Sequence, residues 1–324
     1  MTFNRLAIVS VITAGLCVSN PVVAICFADE GQSRDKDSAQ QHSKFIRIQT
    51  DKNEQPLAMQ TAITSYRLKR DGRVVDLIAA VHLGESSYYG ALNKQFESYD
   101  VLLYELVAPK NAIPTRHTGQ GTNIFSMLQR LPGIMLGLES QLDHIDYAKP
   151  NFVHADLSPE EMARRMSERG EDMLSIAMEV FDDIQEKQDR IQQDQQNDPT
   201  TPSATTDILE MLSDPLDMKR KLAVYFTDSD NLESGLGKTL NRMLINDRNQ
   251  AAMRALQTEL SKGKQRIGIF YGAAHMPDFD RRLREDLEMQ PNEQQWLTAW
   301  DLTSAKSNRF HRALQFLRQV APER

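Results

Sequence analysis

The run VLLYELV at 101–107 narrows what this chain can fold into more than any other feature. A short, nearly continuous apolar segment without polar alternation reads as a strand buried on both faces, which is the habit of parallel sheets covered by helices. Ahead of it, Ser86–Tyr99 places Tyr89, Leu92, Phe96 and Tyr99 at helical spacing, and Val74–His82 is again strand-like. Residues 74–107 therefore read as a β-α-β unit, whose crossover should be right-handed. A further strand, Ala58–Leu68, precedes it across the turn signal Asp71-Gly72, which predicts an antiparallel hairpin.

The same plan returns near the C-terminus, with Gln265–Tyr271 as a strand, Gly272–His275 as a tight loop, Pro277–Glu288 as a helix and Gln295–Leu302 as a strand. The expected fold class is α/β, a mixed central sheet from two β-loop-α-β halves flanked by helices. Between the halves, 109–245 reads as a large helical insert able to act as a cap. It holds a helix over Ile124–Leu138 that Pro132-Gly133 should kink, a strand at Asn151–Leu157, and a capping-box helix start at Ser158-Pro159-Glu160-Glu161. A helical stretch over 170–195 dissolves into the polar tract QQDQQNDPTTPSATTD, and helices follow around 215–227, 232–245 and 247–262.

The ends read differently. Arg5 followed by an apolar stretch from Leu6 to Val18, with small residues at Ala24 and Ala28, has the shape of a secretory signal over 1–28, and the polar 29–43 reads as a flexible tether. Residues 44–302 are then one domain, in a periplasmic or secreted protein. Cys17 and Cys26 both lie in the signal, so cleavage after Ala28 leaves no disulfide, thiolate metal site or cysteine nucleophile. The net charge of −7 has no dominant basic block behind it, which argues against nucleic acid as a partner. At 303–324, Phe310, Leu314 and Leu317 share a face beside Arg309, Arg312 and Arg318, a basic amphipathic helix expected to pack on the domain. Membrane contact is expected only through it or the N-terminal segment.

Chemistry points to strand ends. His82 closes IAAVH, His275 follows FYGAA, and Glu105 ends YDVLLYE. In open α/β sheets, ligand sites gather at the carboxyl ends of parallel strands. Two imidazoles and a carboxylate there form a divalent-metal ligand set with positions left open for water. The plainer alternatives are hydrogen-bonded structural histidines and a buried ion pair between Glu105 and an arginine, for which Arg248 is the candidate. His154 and Asp156, in NFVHADLS, end another strand, where either could complete the site or serve packing and capping.

With Gly272-Ala-Ala-His275 in GIFYGAAHMPDFDRRL, Glu105 in YDVLLYEL, and Arg248-Asn249 ahead of MRALQTEL, the chain resembles the TraB/TIKI/GumN superfamily, which is related to erythromycin-esterase and ChaN-like proteins. The resemblance covers mainly 58–108 and 240–302. It departs at the first Gly-x-x-His motif, which reads Ala79-Ala-Val-His82. It implies a metal-dependent hydrolase of peptide or protein substrates. His82, His275 and Glu105 would be metal ligands, Glu105 alternatively a general base, and Arg248 would hold a substrate carboxylate or the oxyanion. The metal could be zinc, manganese, cobalt or iron. The alternatives are a non-catalytic peptide-binding or sequestering protein of the same fold and a metal-free esterase. The latter ranks lowest, since no Gly-x-Ser-x-Gly elbow occurs.

Overall fold

The computed structural model describes residues 45–109, 136–170, 214–227 and 245–304. The expected signal, tether and C-terminal helix fall outside the described residues. So do the expected 170–195 helix, the polar tract, and nearly all of the expected 124–138 and 232–245 helices.

Strands β1 (Ile46–Thr50), β2 (Pro56–Leu68) and β3 (Val74–Ala80) open the domain. β2 and β3 form the expected hairpin, and Gly72 takes φ +76° in its turn, a conformation that costs a residue with a Cβ about 1–2 kcal/mol. A two-residue strand β4 (Leu83–Gly84) leads into helix α1 (Ser86–Phe96) and strand β5 (Val101–Tyr104). Then come β6 (Glu139–Ser140), the single-turn α2 (Gln141–His144), β7 (Phe152–His154) and α3 (Pro159–Glu168). The α3 start is the expected capping box, in which Ser158 and Glu161 satisfy each other's backbone N–H groups. Helices α4 (Pro215–Thr227) and α5 (Asp247–Ser261), strand β8 (Arg266–Gly272), helix α6 (Met276–Glu285) and strand β9 (Met289–Asp301) complete the described chain.

Seven strands form one mixed sheet. β3, β8, β5 and β7 are parallel neighbours in that order, so β8 from the second half inserts between the two strands of the first β-α-β unit. Alternate residues of this set feed two apolar layers. Val75, Leu77, Ala79, Ile267, Ile269 and Tyr271 face α5 and α6, whose Ala252, Met253, Leu256, Phe279 and Leu283 are buried against them. Ile78, Ala80, Leu102 and Phe270 face α1, which buries Tyr88, Tyr89, Leu92 and Phe96. Each fully buried side chain of this size stabilises by about 1.5–3 kcal/mol. The result is the expected α/β sheet with helices on both faces, and all four parallel strands deliver their carboxyl ends to one edge.

The second half departs from the first in its last strand. β9 does not enter the parallel set. It pairs antiparallel with β2 from Ala58 to Leu68, so β1 and β3 share the opposite edge of β2 end to end. β9 starts at Met289, six residues before the expected Gln295, because MQPNEQQ is polar while main-chain pairing to β2 needs no apolar side chains. β5 is shorter than the apolar run 101–107 predicts, which leaves Glu105 just beyond its end.

Candidate functional site

His275 lies in a 3-10 turn, Ala273–His275, directly after β8, and is buried with 4% of its surface exposed. Asn249 on α5 donates from Nδ2 to the His275 carbonyl (3.0 Å) and to Asp278 Oδ2 (2.9 Å), so its amide oxygen is the acceptor, 2.6 Å from His275 Nδ1. The proton of a neutral His275 is therefore on Nδ1, and Nε2 keeps its lone pair. The ring is held edge-on by Tyr271 at 5.2 Å and parallel to Phe279 at 6.4 Å. Nε2 faces Glu105 Oε1 at 3.5 Å.

Glu105 is gripped from two sides. Arg248 Nη2 donates to its Oε1 at 2.7 Å, and the backbone N–H of Gly272 donates to its Oε2 at 2.6 Å. A Cβ at position 272 would stand 3.3 Å from that oxygen, so glycine there is what lets the carboxylate approach the backbone. Burial alone would raise the Glu105 carboxyl. Arg248, then His275 and His82, outweigh it and hold the group well below the usual glutamate range. Glu105 is thus a carboxylate across neutral pH.

Arg248 is buried and forks onto Asp156, with Nε at 3.0 Å from Oδ1 and Nη2 at 2.6 Å from Oδ2. Burial disfavours its charge, but Asp156 and Glu105 raise its pKa further above normal. The ion pair between Glu105 and Arg248 is present, and Asp156 holds the same guanidinium. Two carboxylates against one guanidinium leave one negative charge in this buried group.

His82 is held in the opposite manner. Its side chain is exposed, yet the carbonyls around it are almost all occupied. Tyr88 Oη lies 3.2 Å from the Ala79 carbonyl, Tyr89 donates to Val81 (3.1 Å), the Gln141 N–H to His82 (2.9 Å) and Trp300 Nε1 to Leu83 (2.7 Å). β4 pairs with β6, and Glu85, next in the chain, is joined to buried Lys219 of α4 at 2.8 Å. An exposed side chain on a clamped backbone is how a fold presents a functional group in a fixed place.

The structure therefore gathers His82, Glu105, His275, Arg248 and Asp156 at the parallel-strand ends. His154 is nearby, but its Nε2 is 2.5 Å from the Leu106 carbonyl and therefore donates to it, and its ring leans on Tyr104 at 5.7 Å. Asp156 enters through Arg248 alone. Asn249 and the Gly272 N–H were not singled out as site groups by sequence reasoning. A buried asparagine in the first turn of α5, where its propensity is poor, was the signal available for the first. Among the described residues no three or more His, Cys, Asp or Glu side chains stand in metal-holding geometry, and no helix is long and apolar enough to cross a membrane. Comparison with protein-family models, curated proteins and solved structures finds no match to this chain.

Proposed function

We propose that this site is the hydrolytic centre of an exported, metal-dependent enzyme acting on peptide or protein substrates. One observation carries the reading: Asn249 fixes the His275 proton on Nδ1, which leaves Nε2 facing the ionised Glu105 across 3.5 Å. Metal-binding histidines characteristically donate their second nitrogen to such an outer partner, and ligating carboxylates are themselves hydrogen-bonded, as Glu105 is by Arg248 and Gly272. The donor chemistry of His275 Nε2 and Glu105 would suit a divalent ion, and His82, which stands in no three-residue cluster with them among the described residues, is the third donor that the resemblance implies. A bound ion there would supply Lewis acidity and make a water molecule nucleophilic at neutral pH.

The residues themselves do the rest. Arg248 and the Gly272 N–H keep Glu105 charged and aimed. Asn249 keeps His275 in the ligating tautomer. His82, at the open side, faces the substrate approach. In amide hydrolysis the water oxygen bonds to the carbonyl carbon, the C–N bond breaks, and the proton lost by water reaches the leaving nitrogen. Glu105 is the group placed to relay it. The peptide substrate class, the export and the metal rest on the resemblance and on this donor chemistry. Zinc, manganese, cobalt and iron all suit it.

The test is cleavage of a fluorogenic peptide library by the purified mature protein before and after chelation. Activity that chelator removes, that divalent ions restore and that Glu105→Gln abolishes supports the proposal. Full activity in Glu105→Gln overturns it. A second reading has its own observation in favour: both Glu105 oxygens already accept hydrogen bonds, which suits a fixed anionic pocket that binds peptides without turnover. Peptide binding by calorimetry with no cleavage would select it.

A further inference from the structure

The hydrolytic reading leaves one role unfilled. An amide carbonyl under attack develops negative charge on its oxygen and needs a donor aimed at it. Arg248, the donor expected from the sequence, is buried with Nε and Nη2 given to Asp156 and Glu105.

Tyr147 lies on the segment between α2 and β7. Its ring packs at 5.1 Å on Tyr104, the residue before Glu105, and edge-on at 6.0 Å to Phe152 of β7. Its hydroxyl oxygen accepts from Gln141 Nε2 at 2.8 Å, and the Gln141 backbone N–H holds the His82 carbonyl. The phenol is thus tied through one residue to His82 and through the neighbouring ring to the end of β5. With its oxygen taken by an amide donor, its proton must point elsewhere, and no acceptor for it is found among the described residues. Gln141 Oε1 is likewise buried without a partner. A buried acceptor without a partner, beside a phenol whose oxygen is occupied and whose proton has no described acceptor, marks a place where a polar molecule completes the network. A phenol is protonated at neutral pH, so it can donate there throughout.

We propose that Tyr147 is a further catalytic residue of this site. Its O–H donates a hydrogen bond to the substrate carbonyl oxygen as charge develops, while Gln141 orients it and offers Oε1 to the main-chain N–H of an extended peptide. The proton stays on the phenol throughout, so no group is transferred. This rests on the hydrolytic reading and adds to it a substrate requirement: a main chain with a carbonyl and an N–H to match the pair.

The experiment compares wild type, Tyr147→Phe, Gln141→Leu, His82→Ala and Tyr99→Phe on the best-cleaved peptide of a fluorogenic library. Tyr147→Phe keeps the ring packing and removes only the donor. It should lower kcat by about 100-fold with KM changed less than about twofold, the loss typical of one oxyanion donor. Gln141→Leu should lie between it and wild type. Tyr99, whose hydroxyl donates to Asp76 near the other end of β3, serves as a control for the loss of a buried phenol, and its variant should keep wild-type kcat. A phosphonate analogue of the same peptide, whose tetrahedral anion stands in for the charged species, should bind Tyr147→Phe about 100-fold more weakly by calorimetry. If His82→Ala is inactive while Tyr147→Phe keeps full kcat and full phosphonate affinity, the Tyr147 role is overturned and the hydrolytic reading stands. If wild type cleaves nothing in the library, both fall together.

Discussion

The two histidine corners of the site solve one problem in opposite ways. His275 is buried, and its ring is fixed by what touches it: Asn249 on one nitrogen, Tyr271 and Phe279 on its faces. His82 is exposed, and its position is fixed by the backbone under it, where Tyr88, Tyr89, Gln141 and Trp300 occupy the carbonyls of Ala79, Val81, His82 and Leu83. The difference accounts for the unequal motifs. At 272 a Cβ would stand 3.3 Å from Glu105 Oε2, a tight contact that glycine avoids. The equivalent Ala79 is fully buried one residue before the end of β3 and pairs with Tyr271, where a methyl group has room. One corner was built around a carboxylate and the other around a strand end.

The comparison breaks most readily at the buried corner. Arg248→Ala would leave Glu105 and Asp156 facing each other without their cation, and a loss of about 3–5 kcal/mol in urea unfolding is expected. Asn249→Ala should follow, costing about 1–3 kcal/mol because the His275 carbonyl and Asp278 each lose a donor. It should also weaken metal affinity by about 10–100-fold as the tautomer is released. Gly272→Ala should cost about 1–3 kcal/mol by overpacking against Glu105, whereas Ala79→Gly should cost only about 0.5–1 kcal/mol for strand entropy. Equal costs at the two positions would erase the asymmetry. His82→Ala should change stability by less than about 0.5 kcal/mol, as expected for an exposed side chain, while abolishing activity.

Acid sharpens the same contrast. Because the folded-state carboxyl of Glu105 is held below its ordinary value, its contribution to stability is present above that value and is lost as pH falls through the depressed one. Wild type should therefore lose stability progressively as pH drops below 4.5, the unperturbed glutamate value, and Glu105→Gln should lack that component. Thermal midpoints of the two proteins across pH 3–7, on the order of half-unit steps, would show it.

How much of this was legible in the sequence follows from which interactions are local. The hairpin at Asp71-Gly72, α1, the capping box at Ser158 and the strand leading to His275 were readable, because apolar period and turn chemistry decide them within a few residues. That Glu105 and His275 would meet followed from placing each at the carboxyl end of a parallel strand. The insertion of β8 between β3 and β5, and the long antiparallel reach of β9 along β2, were not readable, since main-chain pairing leaves no mark in polar stretches such as NEQQ. Nor was the pairing of Arg248 with Asp156 as well as Glu105, or the use of Asn249 and Gln141. Their partners lie 26 and 59 residues away in sequence, and only the fold brings them together.

The most direct test of the central claim is metal analysis of the purified mature protein, wild type beside His82→Ala, with circular dichroism and thermal midpoints showing that both are folded alike. Near-stoichiometric divalent metal in the wild type, with affinity at least about tenfold weaker in the folded variant, is the predicted result. No metal in either protein after incubation with zinc, manganese, cobalt and iron salts, or equal metal in both, would contradict the account.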